Sequence, residues 1–230
     1  MILSFENVSF SYNKHSILKN ASFTMDSNEF LYLIGPSGSG KTTVIKLIYM
    51  DLMPQSGVVA IGEFNSQFMK ERYIPMLRRK LGIIFQDFRL LTDRTVEENL
   101  SFVLHSINSP KKEIKKKIFN ALSLVGLTHK RNAYPNELSG GEQQRIVIAR
   151  AIINDPILIL ADEPTGNLDP DTSNQIMEIL KDINARGTAV LVATHNYELV
   201  KKFPSNVLQI KNEQITGVKI NSDLPFQLPQ

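Results

Sequence analysis

The sequence contains no cysteine. Disulfides and thiolate metal sites are therefore excluded, and a reducing compartment is the natural setting. No apolar run approaches the ~18–20 residues needed to cross a bilayer as a helix. The opening residues, MILSFENVSF, lack a basic segment followed by an apolar one, so no secretory signal is expected. The chain is expected to stay in the cytoplasm, with any membrane attachment made through a partner or a surface patch. Charge of one sign is also scarce. A total of 26 Lys and Arg against 23 Asp and Glu leaves a formal net charge of +3, too little for the footprint of a nucleic-acid binder. No internal repeat or low-complexity linker divides the chain.

What is present is material for a core. With 230 residues, 42% of them hydrophobic, the chain suits one large α/β domain or a domain with a subdomain. Short apolar runs alternate with helical patterns. Residues 31–34 lead through a glycine-rich turn to a helix over residues 43–52. Residues 157–161 and 189–193 are apolar at every position, as in strands buried on both faces of a parallel sheet. Between them Ile176, Ile179, Leu180 and Ile183 form one helical face. Asp169 suits the cap, Pro170 the first helical position, and Arg186 with Gly187 the stop. This is βαβ logic. Residues 1–30 and 56–65 depart from it and read as short, partly antiparallel strands. Residues from about 93 to 150 read as an inserted helical subdomain. The lysine-rich segment PKKEIKKKI (residues 110–118) reads as the solvated face of a helix that buries Ile114, Ile118, Leu122 and Val125. Residues 221–230 are expected to be a loose tail.

Gly35-Pro36-Ser37-Gly38-Ser39-Gly40-Lys41-Thr42 matches G-x-x-x-x-G-K-[ST] in full, between a strand and a helix. The glycines let backbone N–H groups turn toward phosphate oxygens at the positive end of the following helix. Lys41 is expected to reach the β- and γ-phosphates and the Thr42 hydroxyl to ligate Mg²⁺, with Thr43 beside it. The strand at 157–161 runs into Asp162-Glu163. Carboxylates at the end of a buried strand are expensive unless used. Asp162 is expected to hold the metal through its water shell, and Glu163 to polarise the attacking water. Ser139 and Glu142 form a capping-box pattern, which leaves Gly140 and Gly141 unexplained, because glycine weakens the first helical turn.

Leu138-Ser139-Gly140-Gly141-Glu142-Gln143-Gln144-Arg145 resembles the signature of the ATP-binding cassette (ABC) transporter nucleotide-binding subunits, and the resemblance spans nearly the whole chain. It implies the ABC ATPase fold: a P-loop, RecA-like core, an antiparallel β subdomain and an inserted helical subdomain, together forming a single ATP-binding domain over 1–230. It implies a homodimer that sandwiches ATP head to tail, with Ser139, Gly140 and Gly141 completing the phosphate site in trans. By the same resemblance Tyr12 stacks on adenine, although it also alternates with Phe10 as a strand residue would. Gln86 senses Mg²⁺ and the γ-phosphate, Asn167-Leu168-Asp169 touches the partner subunit, and His195 contacts the γ-phosphate. Many family members have Gln where Glu142 stands. His15, His105 and His129 have no such support.

Within the family, Phe85-Gln86-Asp87-Phe88-Arg89-Leu90-Leu91 and Asp162-Glu163-Pro164-Thr165-Gly166-Asn167-Leu168-Asp169 look like the cell-division branch. Lipoprotein-releasing and macrolide-type exporters share the second segment and remain the alternative. A recruitment scaffold with little hydrolysis is another. Asp87 separates the division branch from the exporters. The resemblance implies an FtsX-like transmembrane partner, a peripheral position on the cytoplasmic side of the cell membrane at the septum, and control of cell-wall hydrolysis. Phe88 and Leu90 read as exposed apolar residues lining a docking site for that partner, with Arg89 on its rim. The alternative is that they pack inside the helical subdomain.

Overall fold

The computed structural model describes residues 1–218; the expected tail at 221–230 lies outside the described residues. Two sheets dominate. An antiparallel sheet has the order β2-β1-β4-β5, from β1 (Leu3–Tyr12), β2 (His15–Met25), β4 (Ser56–Ile61) and β5 (Phe64–Asn65). The second sheet has the order β10-β9-β3-β8-β7-β6. Its strands are β3 (Phe30–Ile34), β6 (Leu81–Ile84), β7 (Leu158–Asp162), β8 (Ala189–Thr194), β9 (Asn206–Lys211) and β10 (Gln214–Val218). All neighbouring pairs in it are parallel except the β9–β10 hairpin.

The apolar runs explain why the parallel sheet is central. Along β3, Tyr32 and Ile34 join one hydrophobic cluster and Leu31 and Leu33 the other. Along β8, Val190 and Val192 face the first cluster and Ala189, Leu191 and Ala193 the second. Period-2 alternation thus sends apolar side chains into both covering layers, the signature of a sheet buried on both faces. Each fully buried Leu, Ile or Val contributes roughly 1.5–3 kcal/mol.

The helices follow their local signals. α6 (Pro170–Ala185) is capped by Asp169, whose side chain accepts from the Thr172 N–H, and ends at Arg186 before Gly187 at φ 104°. α1 (Lys41–Ile48) begins two residues earlier than the periodicity suggests and stops four residues sooner. Met50 turns left-handed there (φ 53°), and the Asp51 and Leu52 N–H groups both close back onto the Lys46 carbonyl. Between β6 and β7 lie three longer helices: α3 (Val96–Ser106), α4 (Lys111–Leu124) and α5 (Gly140–Ile152). α4 buries Ile114, Ile118, Ala121 and Leu122 and leaves Lys111, Lys112, Lys115 and Lys116 exposed. Two short helices, α2 (Ile74–Arg79) before β6 and α7 (Tyr197–Lys202) after β8, complete the set.

Candidate active site

Four parallel strands deliver the site. β3, β8, β7 and β6 lie side by side, with Ile34 level with Thr194, Asp162 with Ala193, and Ile84 with Ala161. Their carboxyl ends therefore emerge along one edge, where open α/β sheets bind ligands. The edge carries the loop 35–40, His195, Glu163 and Gln86 in that spatial order.

The loop 35–40 joins β3 to α1. Gly40 caps α1 at φ 105°, and a Cβ there would lie 2.6 Å from Cγ2 of Ile17. No other residue takes that conformation at that approach without strain. Ile17 belongs to the β1–β2 hairpin, where Tyr12 pairs with His15. Tyr12 is 42% exposed and meets Phe10 edge-on at 5.0 Å. Its ring is thus presented to solvent at the tip of the β1–β2 hairpin, whose Ile17 touches the loop.

Glu163 gathers the polar contacts of this edge. It follows the last residue of β7 and sits at φ 48°, a conformation that costs a non-glycine residue of order 1–3 kcal/mol and clusters at functional sites. Its Oε1 lies 3.3 Å from Nζ of Lys41 and 2.8 Å from Nδ1 of His195. Its Oε2 accepts from the His195 backbone N–H at 3.3 Å. Lys41 also donates to the carbonyls of Gly35 (2.9 Å) and Pro36 (3.2 Å). The carboxylate is nearly buried while His195 is 58% exposed, so the imidazole reaches out from a fixed carboxylate.

Asp162 is the last residue of β7, one step further along the strand than the apolar run alone marks. Burial pushes its carboxyl up from its ordinary value, opposed first by a hydrogen bond from the Thr42 hydroxyl. Its Oδ1 is buried without a hydrogen-bond partner. A hydroxyl and an orphaned carboxylate oxygen are hard donors of the kind Mg²⁺ shares with phosphate oxygens and water. Among the described residues no group of three or more His, Asp or Glu side chains could hold a metal ion alone. Thr42, Gln86 and Asp162 line one cavity of about 660 Å³, with Arg89 and Asp87. Thr43 is buried in α1.

Ser139, Gly140 and Gly141 lie at the start of α5. Ser139 caps α5 in a complete capping box with Glu142. The side chains nearest Gly140 and Gly141 are those of Leu168, Phe88 and Thr172. Phe88 and Leu90 are half-buried and packed against the larger core cluster, not exposed as the sequence suggests; of the three docking residues only Arg89 is exposed. Two anchors of this segment escape sequence reasoning. Arg150 of α5 donates to the carbonyls of Arg89 (2.5 Å) and Phe88 (2.9 Å). Buried Asn99 of α3 bonds both the N–H and the carbonyl of Leu91, and the carbonyls of Arg94 and Thr95. The T-x-x-E pattern of Thr95 and Glu98, a full capping box, was the available signal that a helix starts there.

Residues 18–166 match the ABC transporter family. The chain belongs to that family. The cassette is an ABC-type ATPase, a nucleotide-binding subunit of the cell-division type. It is 48% identical over 195 residues to the cell division ATP-binding protein FtsE of Bacillus subtilis, covering 85% of this chain and 86% of that one. It is 44% identical over 203 residues to the FtsE of Streptococcus pneumoniae, covering 88% of each. With the Escherichia coli FtsE the identity is 39% over 217 residues, covering 94% of the cassette and 98% of the relative. Among solved structures, a dimeric ATP-binding cassette in a post-hydrolysis state bound to ADP and Pi matches with TM-score 0.84 and 31% identity, covering 96% of this chain and all of that one. The cbiO1 subunit from Clostridium perfringens, part of an ABC transporter complex, matches with TM-score 0.87 and 28% identity, covering 94% and 86%.

Proposed function

We propose that this single ATP-binding domain binds ATP with Mg²⁺ and closes head to tail on a second copy, which drives an FtsX-like transmembrane subunit. In this reading Gly35, Pro36, Ser37, Gly38, Ser39, Gly40 and Thr43 cradle the phosphates and Tyr12 carries the adenine. Lys41 moves from Glu163 to the β- and γ-phosphates. Thr42, Gln86 and, through water, Asp162 would hold the ion, which when bound would draw charge from the transferring phosphoryl group. Glu163 then accepts the proton of the attacking water, with His195 orienting the γ-phosphate. Ser139, Gly140 and Gly141 close the site from the second copy, a reading supported by the related cassette solved as a dimer with ADP and Pi. In this reading the cassette sits on the cytoplasmic face of the membrane at the division septum, where the complex would regulate cell-wall hydrolysis; the cell-division role named for the FtsE relatives supports it.

The observation that carries the enzymatic part is Oε1 of Glu163, held between Lys41 and His195. Glu163→Gln keeps the shape and removes the base. It should abolish turnover and accumulate an ATP-bound dimer, read by phosphate release and light scattering. Normal hydrolysis in that variant would remove the assignment. The docking part now rests on Arg89 and the edges of Phe88 and Leu90. Arg150, which bonds the Phe88 and Arg89 carbonyls, lines a cleft of about 430 Å³ with Arg79, Ile83, Val103 and Ile107. Arg89→Ala and Leu90→Ala should weaken capture of the membrane subunit in a folded protein; unchanged capture would refute docking here.

A further inference from the structure

Glu142 puts a formal negative charge at an end of α5 where a phosphate is expected to arrive. Both of its oxygens are engaged. Oε2 accepts from the Ser139 N–H at 2.9 Å, and Oε1 lies 3.2 Å from Nζ of Lys130. Ser139 Oγ in turn accepts from the Glu142 N–H at 3.2 Å. Glutamine would close this capping box equally well, so the cap does not require the charge. The Ser139 N–H and Lys130 hold the Glu142 carboxyl below its ordinary value, so it is ionised at neutral pH. A fixed anion at a helix N-terminus uses up the attraction that the helix end offers to a second anion.

Lys130 ends the short turn Thr128–Lys130 that follows α4, and is about one-third exposed. Glu137 caps at the Tyr134 N–H, and one guanidinium nitrogen of Arg145 donates to Gln175. We propose that Lys130 is the charge-compensating residue of the trans nucleotide site. It neutralises Glu142 so that the Ser139–Gly140–Gly141 turn can accept the triphosphate held by a second copy. This rests on the head-to-tail reading, and it makes Lys130 a positioning residue that acts through Glu142.

The test is an epistasis measurement in the Glu163→Gln background, reading ATP-driven dimerisation by light scattering at low and moderate salt. Lys130→Met should raise the ATP concentration for half-dimerisation about tenfold, a several-fold effect at each of two sites. The shift should shrink as salt rises. Adding Glu142→Gln should restore the parental value, because the charge that needed compensation is gone. Melting of the monomer should change little in either variant, which separates the effect from folding. No deficit in Lys130→Met, or a deficit that Glu142→Gln leaves in place, overturns the inference while leaving the head-to-tail reading intact. If the Glu163→Gln parent stays monomeric with ATP, that reading fails and takes this inference with it.

Discussion

A Cβ on Gly141 would lie 2.5 Å from Cγ2 of Thr172, whereas one on Gly140 would meet nothing closer than 3.5 Å. The two adjacent glycines therefore answer to different demands. Gly141 is needed inside the chain, where the start of α5 presses on the start of α6. Gly140 has room within its own subunit, which leaves it free for the proposed phosphate contact with a second copy. Gly141→Ala should destabilise by about 1–2 kcal/mol, since Thr172 is short, β-branched and unable to swing away. Thr172→Ser, which removes the colliding methyl group, should restore stability in the double variant. Gly140→Ala should melt at or slightly above the parental temperature, yet dimerise poorly with ATP. Thermal melts and light scattering separate the two.

Asp162 carries a second prediction, in which the sign is fixed by burial. Its folded-state value is raised above that of the unfolded chain. Between the two values the folded state holds a proton that the unfolded state has released. Stability from this group is therefore present at low pH and is lost as pH rises through that window. Asp162→Asn, in the absence of nucleotide, should raise stability at pH 7 by about 1 kcal/mol, as removals of functional strain commonly do. The gain should vanish toward acid pH. Added Mg²⁺ and ATP should raise Tm in the parent and much less in the variant.

The β-strands and the capped helix α6 were legible because their signals are local. An all-apolar run, Asp169 before Pro170, and Arg186 before Gly187 each name their own structure. The phosphate loop was legible for the same reason: eight consecutive residues carry it. Lys41 and Glu163 were legible from their own motifs and His195 through resemblance, but their direct contact was not, since three strands far apart in sequence must align their ends to make it. Phe88 and Leu90 show where local reading fails. Two apolar residues after a strand read as exposed only if nothing covers them, and the cover comes from helices that follow much later. Arg150 and Asn99 were invisible for the complementary reason. Each is an ordinary polar residue in a helix, and its importance lies in backbone groups that sequence does not show.

Arg150 gives the third prediction. Its guanidinium holds the carbonyls of Phe88 and Arg89, and Arg89 is turned left-handed (φ 49°) with its own guanidinium 3.9 Å above the Phe85 ring. Gln86 lies between these two fixed points. Burial and the neighbouring Arg89 both disfavour the charge on Arg150, so its removal should change stability less than the two lost bonds suggest. Arg150→Met, which keeps most of the volume, should lower kcat about tenfold by loosening Gln86, on the scale of losses from sub-ångström misplacement. KM for ATP should hardly move, because the phosphate loop and Tyr12 are untouched. A matching loss in both parameters would point to damage at the nucleotide site instead.

Asn99 should behave in the opposite way, as a stability residue. It is buried, its Nδ2 donates to the carbonyls of Leu91 (3.0 Å), Arg94 (3.1 Å) and Thr95 (2.9 Å), and its Oδ1 accepts from the Leu91 N–H at 2.8 Å. These contacts tie the segment leaving β6 to the first turn of α3, where few backbone ladder bonds are available. Asn99→Ala would leave the Leu91 N–H and the Arg94 carbonyl unpaired, since the Thr95 and Leu91 carbonyls keep backbone partners, and such groups cost about 1–3 kcal/mol each when water cannot reach them. Partial hydration brings the expected loss to about 2–4 kcal/mol. Asn99→Asp is the sharper variant. It keeps the acceptor for the Leu91 N–H but sets a carboxylate against three carbonyl oxygens. At neutral pH it should be at least as damaging as alanine. It should recover as pH falls, because a protonated carboxyl can donate one of the lost bonds. Urea melts of the three proteins from pH 4.5 to 8 would show it: a pH-dependent gap between Asp and Ala supports the carbonyl cluster, and parallel curves would refute it.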